Sequence, residues 1–191
     1  ASVAAHEESR RLDPKQDTSI PWTLLARVEY EQLSVLDREE STEFDMEPQI
    51  LSLALLGRTE EGRHLFERQE SRPMPEVLRV VVGWVRPFLD QDPQAVLAAV
   101  EKALATFYDP EATYMYALIL FRTGQVDRGL ELLESAVEGG YTAATALAEE
   151  PSFDVARGTR RFEALRERAE ARRREALAAY RSAGGERLLG V

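Results

Sequence analysis

The sequence predicts an all-α protein in which short helices pair into antiparallel hairpins that stack in a row. Three observations support this fold class. Apolar residues recur at helical spacing along most of the 191-residue chain. Breaks that contain glycine or proline interrupt the pattern at short intervals. The breaks at Gly57 and Gly124 lie 67 residues apart, or twice 33.5, with Asp90-Gln91 midway between them, and such a period is typical of a helical-pair solenoid.

The clearest hairpin is predicted over residues 109–141. Pro110 opens its first helix, where the missing N–H costs nothing, and Gly124 marks the break. Gly139-Gly140 ends the second helix, because glycine tolerates the left-handed geometry of a helix end. Neither helix is long enough to be stable alone, so each must bury its apolar face against a neighbour. These faces are formed by Tyr116, Ala117, Leu120, Val126, Leu130, Leu133, Ala136 and Val137.

The amino-terminal part of the chain predicts three further elements. Residues 2–12 form the end of a helix that Asp13-Pro14 closes. Residues 22–36 form a second helix, with apolar residues at helical spacing. The acidic stretch 37–45 is expected to be a linker or a frayed turn.

Two more helical pairs are predicted before the clearest hairpin. Residues 43–69 form a pair broken at Gly57, and residues 76–105 form the next pair. We expect Pro87 to kink or shorten the first helix of that second pair, since proline lacks a backbone donor. Asp92-Pro93 is then expected to start the helix that follows.

The carboxy-terminal part predicts a long amphipathic helix over residues 159–181. Thr159 is a suitable N-cap, and Ala183-Gly184-Gly185 ends the helix. This helix can cover the open end of the last pair, as solenoids require. We therefore divide the chain into residues 1–143, with about 3.5 to 4 repeats, and capping helices over residues 144–191. The apolar stripe consists of Phe162, Leu165, Ala169, Ala176, Leu177 and Tyr180.

The charge distribution bears on the kind of partner. The net charge is −10, yet residues 151–191 hold ten arginines and six acidic residues, a net of +4, which leaves −14 on residues 1–150. A body this acidic argues against nucleic acid as a partner of this domain, because phosphate binding requires basic surface. The basic carboxy-terminal part is expected to dock on the acidic body or on another acidic surface.

The composition also restricts chemistry and location. The chain has no cysteine and two histidines, which excludes disulfides, thiolate nucleophiles and a multi-histidine metal site. It has no glycine-rich phosphate loop and no G-x-S-x-G motif. No apolar run reaches the roughly 20 residues of a membrane span. We expect a cytoplasmic, non-enzymatic domain without metal or cofactor. Since the sequence starts with Ala1-Ser2-Val3 and lacks an initial Met, we expect an excised domain or a processed chain.

At the residue level the chain resembles a tetratricopeptide repeat (TPR) protein. The unit that starts at Pro110 matches the family at its small and apolar positions, whereas the unit from Glu43 has Gln69 at a position where the family has alanine. The resemblance implies a right-handed superhelix. The matching positions are Ala117, Leu120, Gly129, Leu133 and Ala136 in the later unit and Ile50, Leu53, Gly62 and Phe66 in the earlier one.

A narrower resemblance concerns the two ends of the chain. The start, and the closing segment with Arg161, Phe162 and Leu165, are similar to the carboxy-terminal TPR regions of bacterial signalling proteins. These proteins include serine/threonine kinases, adenylate cyclases and winged-helix regulators. The resemblance implies a docking or sensory region whose output domain lies outside this sequence.

The TPR resemblance also implies a binding site, since the first helix of each pair lines the inner groove. The predicted partner-binding residues are Trp84, Phe88, Tyr114, Leu118 and Arg122. The alternative is that the aromatic residues belong to the core and that Arg122 is a solvated charge. The same register places Phe44, Glu47, Leu51, Val77, Val80 and Glu111 along the groove.

Three hypotheses for function follow. The first is a protein-interaction module that binds a peptide or a partner protein in the groove. The second is a structural domain that self-associates. The third is a small-molecule sensor or enzyme whose pocket is built around Trp84 and Tyr114. Separately, Arg172-Arg173-Arg174 predicts either a site for phosphate or acidic lipid or a solvated helix face paired with neighbouring glutamates.

Overall fold

A computed structural model describes residues 6, 9, 11–13, 20–36 and 43–189 of the chain. The regular secondary structure in these ranges is helical throughout, which confirms the predicted all-α class. The helices are α1 (Ile20–Ala26), α2 (Tyr30–Ser34), α3 (Glu43–Leu55), α4 (Thr59–Glu70), α5 (Glu76–Val81), α6 (Val85–Leu89), α7 (Pro93–Thr106), α8 (Pro110–Arg122), α9 (Val126–Glu138), α10 (Ala144–Glu149), the 3-10 helix η1 (Pro151–Phe153), α11 (Arg160–Ser182) and α12 (Gly185–Leu189).

The predicted hairpin over residues 109–141 is present as α8 and α9. Asp109 caps α8 by accepting a hydrogen bond of 2.9 Å from the backbone N–H of Ala112. Pro110 is the first helical residue, as expected. Gly139 caps the end of α9, and Gly140 has a φ of 103° in the left-handed region.

Two elements differ from their sequence predictions. The helix predicted over residues 22–36 is divided into α1 and α2 at Val28, which has a φ of 61°. The helix that starts at residue 76 ends at Val81, ahead of Pro87. Pro87 lies instead in the first turn of α6, where a backbone donor has no intrahelical partner and its loss is harmless. The break therefore falls near Gly83.

One turn geometry recurs along the chain. Gly57, Gln91, Gly124 and Gly158 have φ angles of 78°, 57°, 81° and 81°. They lie 34, 33 and 34 residues apart. The residue after each of the first three donates its N–H to the carbonyl five residues earlier: Arg58 to Leu53 at 2.8 Å, Asp92 to Pro87 at 2.9 Å and Gln125 to Leu120 at 2.8 Å. This is the Schellman pattern, which the turns at Val28 and Gly140 also show outside this spacing. At Gly158 the next residue donates to Ala156, three residues earlier, so the left-handed φ and the spacing continue past residue 143 without the Schellman bond.

An ion pair that joins every second helix recurs with the same period. Arg128 of α9 pairs with Glu101 of α7 through contacts of 2.7 and 3.1 Å. Arg161 of α11 pairs with Glu134 of α9 at 2.9 and 2.7 Å. Both members of the second pair lie 33 positions after those of the first. Helix α11 is thus joined to α9 by the same kind of ion pair that joins α9 to α7. Through this contact the basic carboxy-terminal part docks on the acidic body, which is one of the two expected arrangements.

Helix α8 lies at the centre of the core. Every residue from Thr113 to Phe121 is buried, so this part of the helix has no solvent face. It packs against α7, α9 and η1. Helix α11 is covered only in its first half, where Phe162, Leu165 and Ala169 are buried, while the rest of its predicted stripe is half-buried or exposed. None of the helices named above has the length and apolar character needed to cross a membrane.

The closeness of α8 and α9 predicts a large effect of adding a methyl group at Gly129. A Cβ atom there would lie 2.7 Å from the Phe121 ring and 3.3 Å from the Ala117 carbonyl oxygen. We expect Gly129→Ala to lower the free energy of unfolding by about 1–3 kcal/mol, because a packed ring must move. Urea unfolding followed by circular dichroism measures the change.

Gly62 provides the matched control, because it occupies the corresponding position of α4. A Cβ atom there would meet its nearest neighbour, the Ile50 carbonyl oxygen, at 3.4 Å, an ordinary contact. Gly62→Ala should leave stability unchanged or raise it by up to about 1 kcal/mol through helix propensity. Equal effects of the two substitutions would contradict the close approach at Gly129.

Candidate partner-binding surface

The structure places most of the predicted groove residues in the core. The relative exposures of Trp84, Tyr114 and Leu118 are 0%, 1% and 0%. A partner therefore cannot touch these three side chains in this arrangement. Their burial agrees with the alternative that the aromatic residues belong to the core. Phe88 is half-buried and meets Trp84 edge to face at 5.8 Å. Arg122 is exposed.

The other residues in the predicted groove register are divided between core and surface. Glu47 and Leu51 are buried, whereas Val77 is 47% exposed. Val80 and Glu111 are half-buried. The side chain of Phe44 lies outside the described residues. These positions therefore do not form one accessible strip along the first helices.

The chain itself covers the predicted inner face of α8. The Tyr114 ring packs against Tyr141 at 5.3 Å and against Phe153 of η1 at 6.4 Å between centroids. The Tyr30 hydroxyl of α2 donates a hydrogen bond to a Glu150 carboxylate oxygen. An amino-terminal helix and a carboxy-terminal segment therefore meet beside α8, 120 residues apart in sequence.

The carboxylate of Glu150 organises this contact. Its second oxygen accepts from the backbone N–H of Ser152 at 2.8 Å and from the Ser152 hydroxyl. Both oxygens of the buried group are thus paired. Burial, and then the Glu150 charge, raises the pKa of Tyr30, while the positive charge of Arg122 acts in the opposite direction. Of the predicted groove residues, Arg122 and Tyr114 thus lie near the Tyr30–Glu150 contact. Trp84 and Phe88 contact each other at a separate place.

A second buried carboxyl group lies beside Trp84. Burial raises the pKa of Glu47 to about 8, and the indole N–H of Trp84 opposes the shift by stabilising the charged form. Within the described residues, Glu47 Oε2 and Trp84 Nε1 have no hydrogen-bond partner of standard geometry. Tyr116 lies close by, and its hydroxyl donates to the Val81 carbonyl at 3.2 Å. At neutral pH, Glu47 is therefore mostly protonated.

The accessible feature with the most distinctive chemistry is a cleft between α4, α5 and α6. We call it the arginine cleft. Its volume is about 570 Å³, which is within the range of ligand sites. Sequence analysis did not single it out, although Arg72, Arg79 and Arg86 recur at intervals of seven residues in the acidic part of the chain. Its lining residues are Phe66, Glu70, Arg72, Met74, Arg79, Val82, Gly83, Arg86 and Pro87.

Two of these arginines are held in place. Arg86 pairs with Glu70, and its guanidinium carbon lies 5.5 Å from the centroid of the Phe66 ring. Arg79 donates to the Met74 carbonyl oxygen at 3.2 and 3.0 Å. The apolar floor and the charged rim of the cleft are therefore positioned by the fold itself.

A second cleft of about 570 Å³ adjoins the arginine cleft and shares Arg79 and Gly83 with it. We call it the adjoining cleft. Its wall includes the carboxylate of Glu76 and the ammonium group of Lys102. Its other lining residues are Val80 and Ala99. The two clefts lie on either side of the break between α5 and α6.

The arginine run in α11 is engaged within the chain. Arg172 donates to the carbonyl oxygens of Val137 and Glu138 at 2.7 and 3.0 Å, so it stabilises the carboxyl end of α9. Arg173 pairs with Glu170 at 2.9 Å. This matches the alternative of a paired, solvated helix face. Among the described residues, no group of three or more histidine, aspartate or glutamate side chains is arranged to hold a metal ion.

The buried carboxyl group predicts a pH dependence of stability. Because the folded pKa of Glu47 is about 8 and its ordinary value is 4.5, the folded state binds the proton more tightly in this range. The free energy of unfolding should fall as pH rises from about 5 to 8, by roughly 1.4 kcal/mol per pH unit at most. Glu47→Gln should flatten the slope, as measured by urea unfolding across this range.

Two other glutamates bear on the slope: one contributes to it and the other is a control. Burial also raises the pKa of Glu111, which contributes with the same sign and leaves a residual slope in the variant. Arg161 lowers the pKa of Glu134, so Glu134→Gln should leave the slope between pH 5 and 8 unchanged. A Glu47→Gln protein with the wild-type slope would show that the buried carboxyl does not hold its proton.

The Tyr30–Glu150 hydrogen bond predicts a cost for removing one hydroxyl group. Tyr30→Phe leaves a carboxylate oxygen buried without its donor, so the free energy of unfolding should fall by about 1–3 kcal/mol. Tyr108→Phe is the control, since Tyr108 is 56% exposed and should change stability little. Urea unfolding compares the two variants, and equal stabilities would rule out the buried contact.

Comparison of the chain with protein-family models, with curated proteins and with solved structures gave no match in any of the three. The TPR resemblance therefore rests on the residues quoted above. The recurring turns and ion pairs provide separate, geometric support for a repeat. Function has to be argued from the same geometry.

Proposed function

We propose that this chain is a non-enzymatic, TPR-like module that binds another protein, and that it serves as the docking or sensory region of a bacterial signalling protein. The observation that carries the proposal is the left-handed turn at Gly57, Gln91, Gly124 and Gly158. Its period of 33 or 34 residues is that of a helical-pair repeat. The link to signalling rests on the resemblance at the two ends of the chain.

The packing order supports a stack of helical pairs, and its right-handed superhelical form is what the TPR resemblance implies. Helix α4 contacts α6, α7 contacts α8, and α9 contacts α11, so each pair lies against the next along the chain. Such stacks present extended surfaces, and binding is their usual role. Because Trp84, Tyr114 and Leu118 are buried, the proposed binding surface is formed by exposed residues around the arginine cleft.

The proposal predicts a specific protein partner. The chain is immobilised and exposed to a lysate of its source organism, and bound proteins are quantified with and without excess free chain. A protein that the free chain displaces should then bind the purified chain with a fixed stoichiometry in isothermal titration calorimetry. An unrelated acidic helical protein of similar size is the control bait.

The outcomes separate this proposal from self-association, which has one specific observation in its favour. Leu177 and Tyr180 on the distal half of α11 are only half-buried, and Ala176 is exposed. Sedimentation velocity over a wide concentration range tests whether the chain forms dimers. Mass that rises with concentration, together with no displaceable partner, would contradict the interaction module and favour the structural role.

A further inference from the structure

We propose that the arginine cleft and the adjoining cleft together bind an acidic peptide segment of the partner protein, with a large apolar side chain of that segment seated in the arginine cleft. This inference rests on the proposed function and specifies the chemistry of the partner. It follows from the apolar floor, the charge of the rim and the shape of the combined surface.

The floor of the arginine cleft is apolar and preformed. Phe66, Met74 and Val82 line it and are otherwise packed into the core, with exposures of 4%, 9% and 6%. Met74 adapts readily to different apolar groups because its side chain is unbranched. The Arg86 guanidinium lies over the Phe66 ring and forms part of the cleft wall. An inserted leucine or phenylalanine side chain would be buried against these groups.

The rim carries a local excess of positive charge. Arg72, Arg79 and Arg86 line the arginine cleft and Lys102 lines the adjoining cleft. Two carboxylates oppose these four cations, those of Glu70 and Glu76. Residues 1–150 carry a net charge of −14, so this surface is opposite in sign to the acidic body in which it lies. Acidic side chains of a partner are complementary to it.

The charges differ in their availability to a ligand. Arg72 is exposed and makes no ion pair with any residue that the structure describes. Arg79 bonds to a neutral carbonyl oxygen, so its charge is not neutralised. Arg86 already pairs with Glu70 and acts mainly as a wall. Arg72, Arg79 and Lys102 are therefore the cations left for acidic groups of the partner.

The shape favours a peptide over other anions. The two clefts share Arg79 and Gly83, so an extended segment of chain can contact both of them. A small anion would lack enclosure there, since ligand sites bury most of their ligand. The apolar floor between the charges can be filled by an apolar side chain of a peptide, which a nucleic acid backbone lacks.

The test uses synthetic peptide probes and fluorescence anisotropy with the full chain at low salt. The first probe is a fluorescein-labelled peptide of sequence Glu-Asp-Glu-Phe-Glu-Asp-Leu-Glu. The second replaces each acidic residue with lysine, and the third replaces Phe and Leu with serine. We expect the first probe to bind about tenfold or more tightly than either of the others, and its affinity to fall as salt is added.

Matched charge reversals locate the site. Arg72→Glu/Lys102→Glu changes two exposed cleft residues, and Arg160→Glu/Arg174→Glu makes the same change in net charge at exposed positions of α11. The cleft variant should bind the first probe about tenfold more weakly than wild type, whereas the α11 variant should keep wild-type affinity. Circular dichroism and urea unfolding confirm that both variants are folded.

Each contrary outcome overturns the proposal in a recognisable way. Equal weakening by the two variants would show that net charge alone attracts the probe. Equal binding of the lysine or serine probe, or tighter binding of a single-stranded oligonucleotide, would reject the acidic, apolar peptide. If the cleft variant still retains the displaceable lysate partner, the protein-binding function stands and its assignment to this surface fails.

Discussion

The burial of α8 on every side is the constraint on which the rest of the structure depends. From Thr113 to Phe121 the helix presents apolar or aromatic groups in all directions, so neighbouring elements must surround it completely. Helices α7 and α9 cover part of it, and η1 covers another part. An open stack of helical pairs would leave one face of such a helix in water. In this structure the segments that contain Tyr30 and Phe153 lie against that face.

Burial on this scale determines where polar groups can lie. A buried carboxylate is tolerated only when it is paired or protonated, and the chain contains an example of each. Glu150 is paired with Tyr30 and Ser152, and the pairing with Tyr30 joins two segments that lie 120 residues apart in sequence. Among the described residues, Glu47 Oε2 has no hydrogen-bond partner of standard geometry, and burial raises the pKa of this carboxyl to about 8. The same apolar core thus produces a structural contact at one carboxyl group and a pH dependence at the other.

The sequence allows the local features to be predicted and leaves the long-range ones open. Pro110, Gly124 and Thr159 mark helix ends through backbone chemistry that needs no tertiary context, and all three positions behave as expected. The burial of Tyr114 depends on residues about 40 and 80 positions away, which periodicity does not show. The predicted groove assumed a solvent-facing side of α8, and the contact between Tyr30 and Glu150 beside it is a long-range feature.

The arginine cleft lies in the least regular unit, and the split of a helix in that unit explains its position. In the units beginning at residues 43 and 110, one continuous helix packs against its partner. In the unit beginning at residue 76 this helix is split into α5 and α6, and Gly83 at the break lines both clefts. The break therefore opens surface that a continuous helix would fill. A regular repeat supplies the scaffold, and a local departure from it is where a binding site is expected.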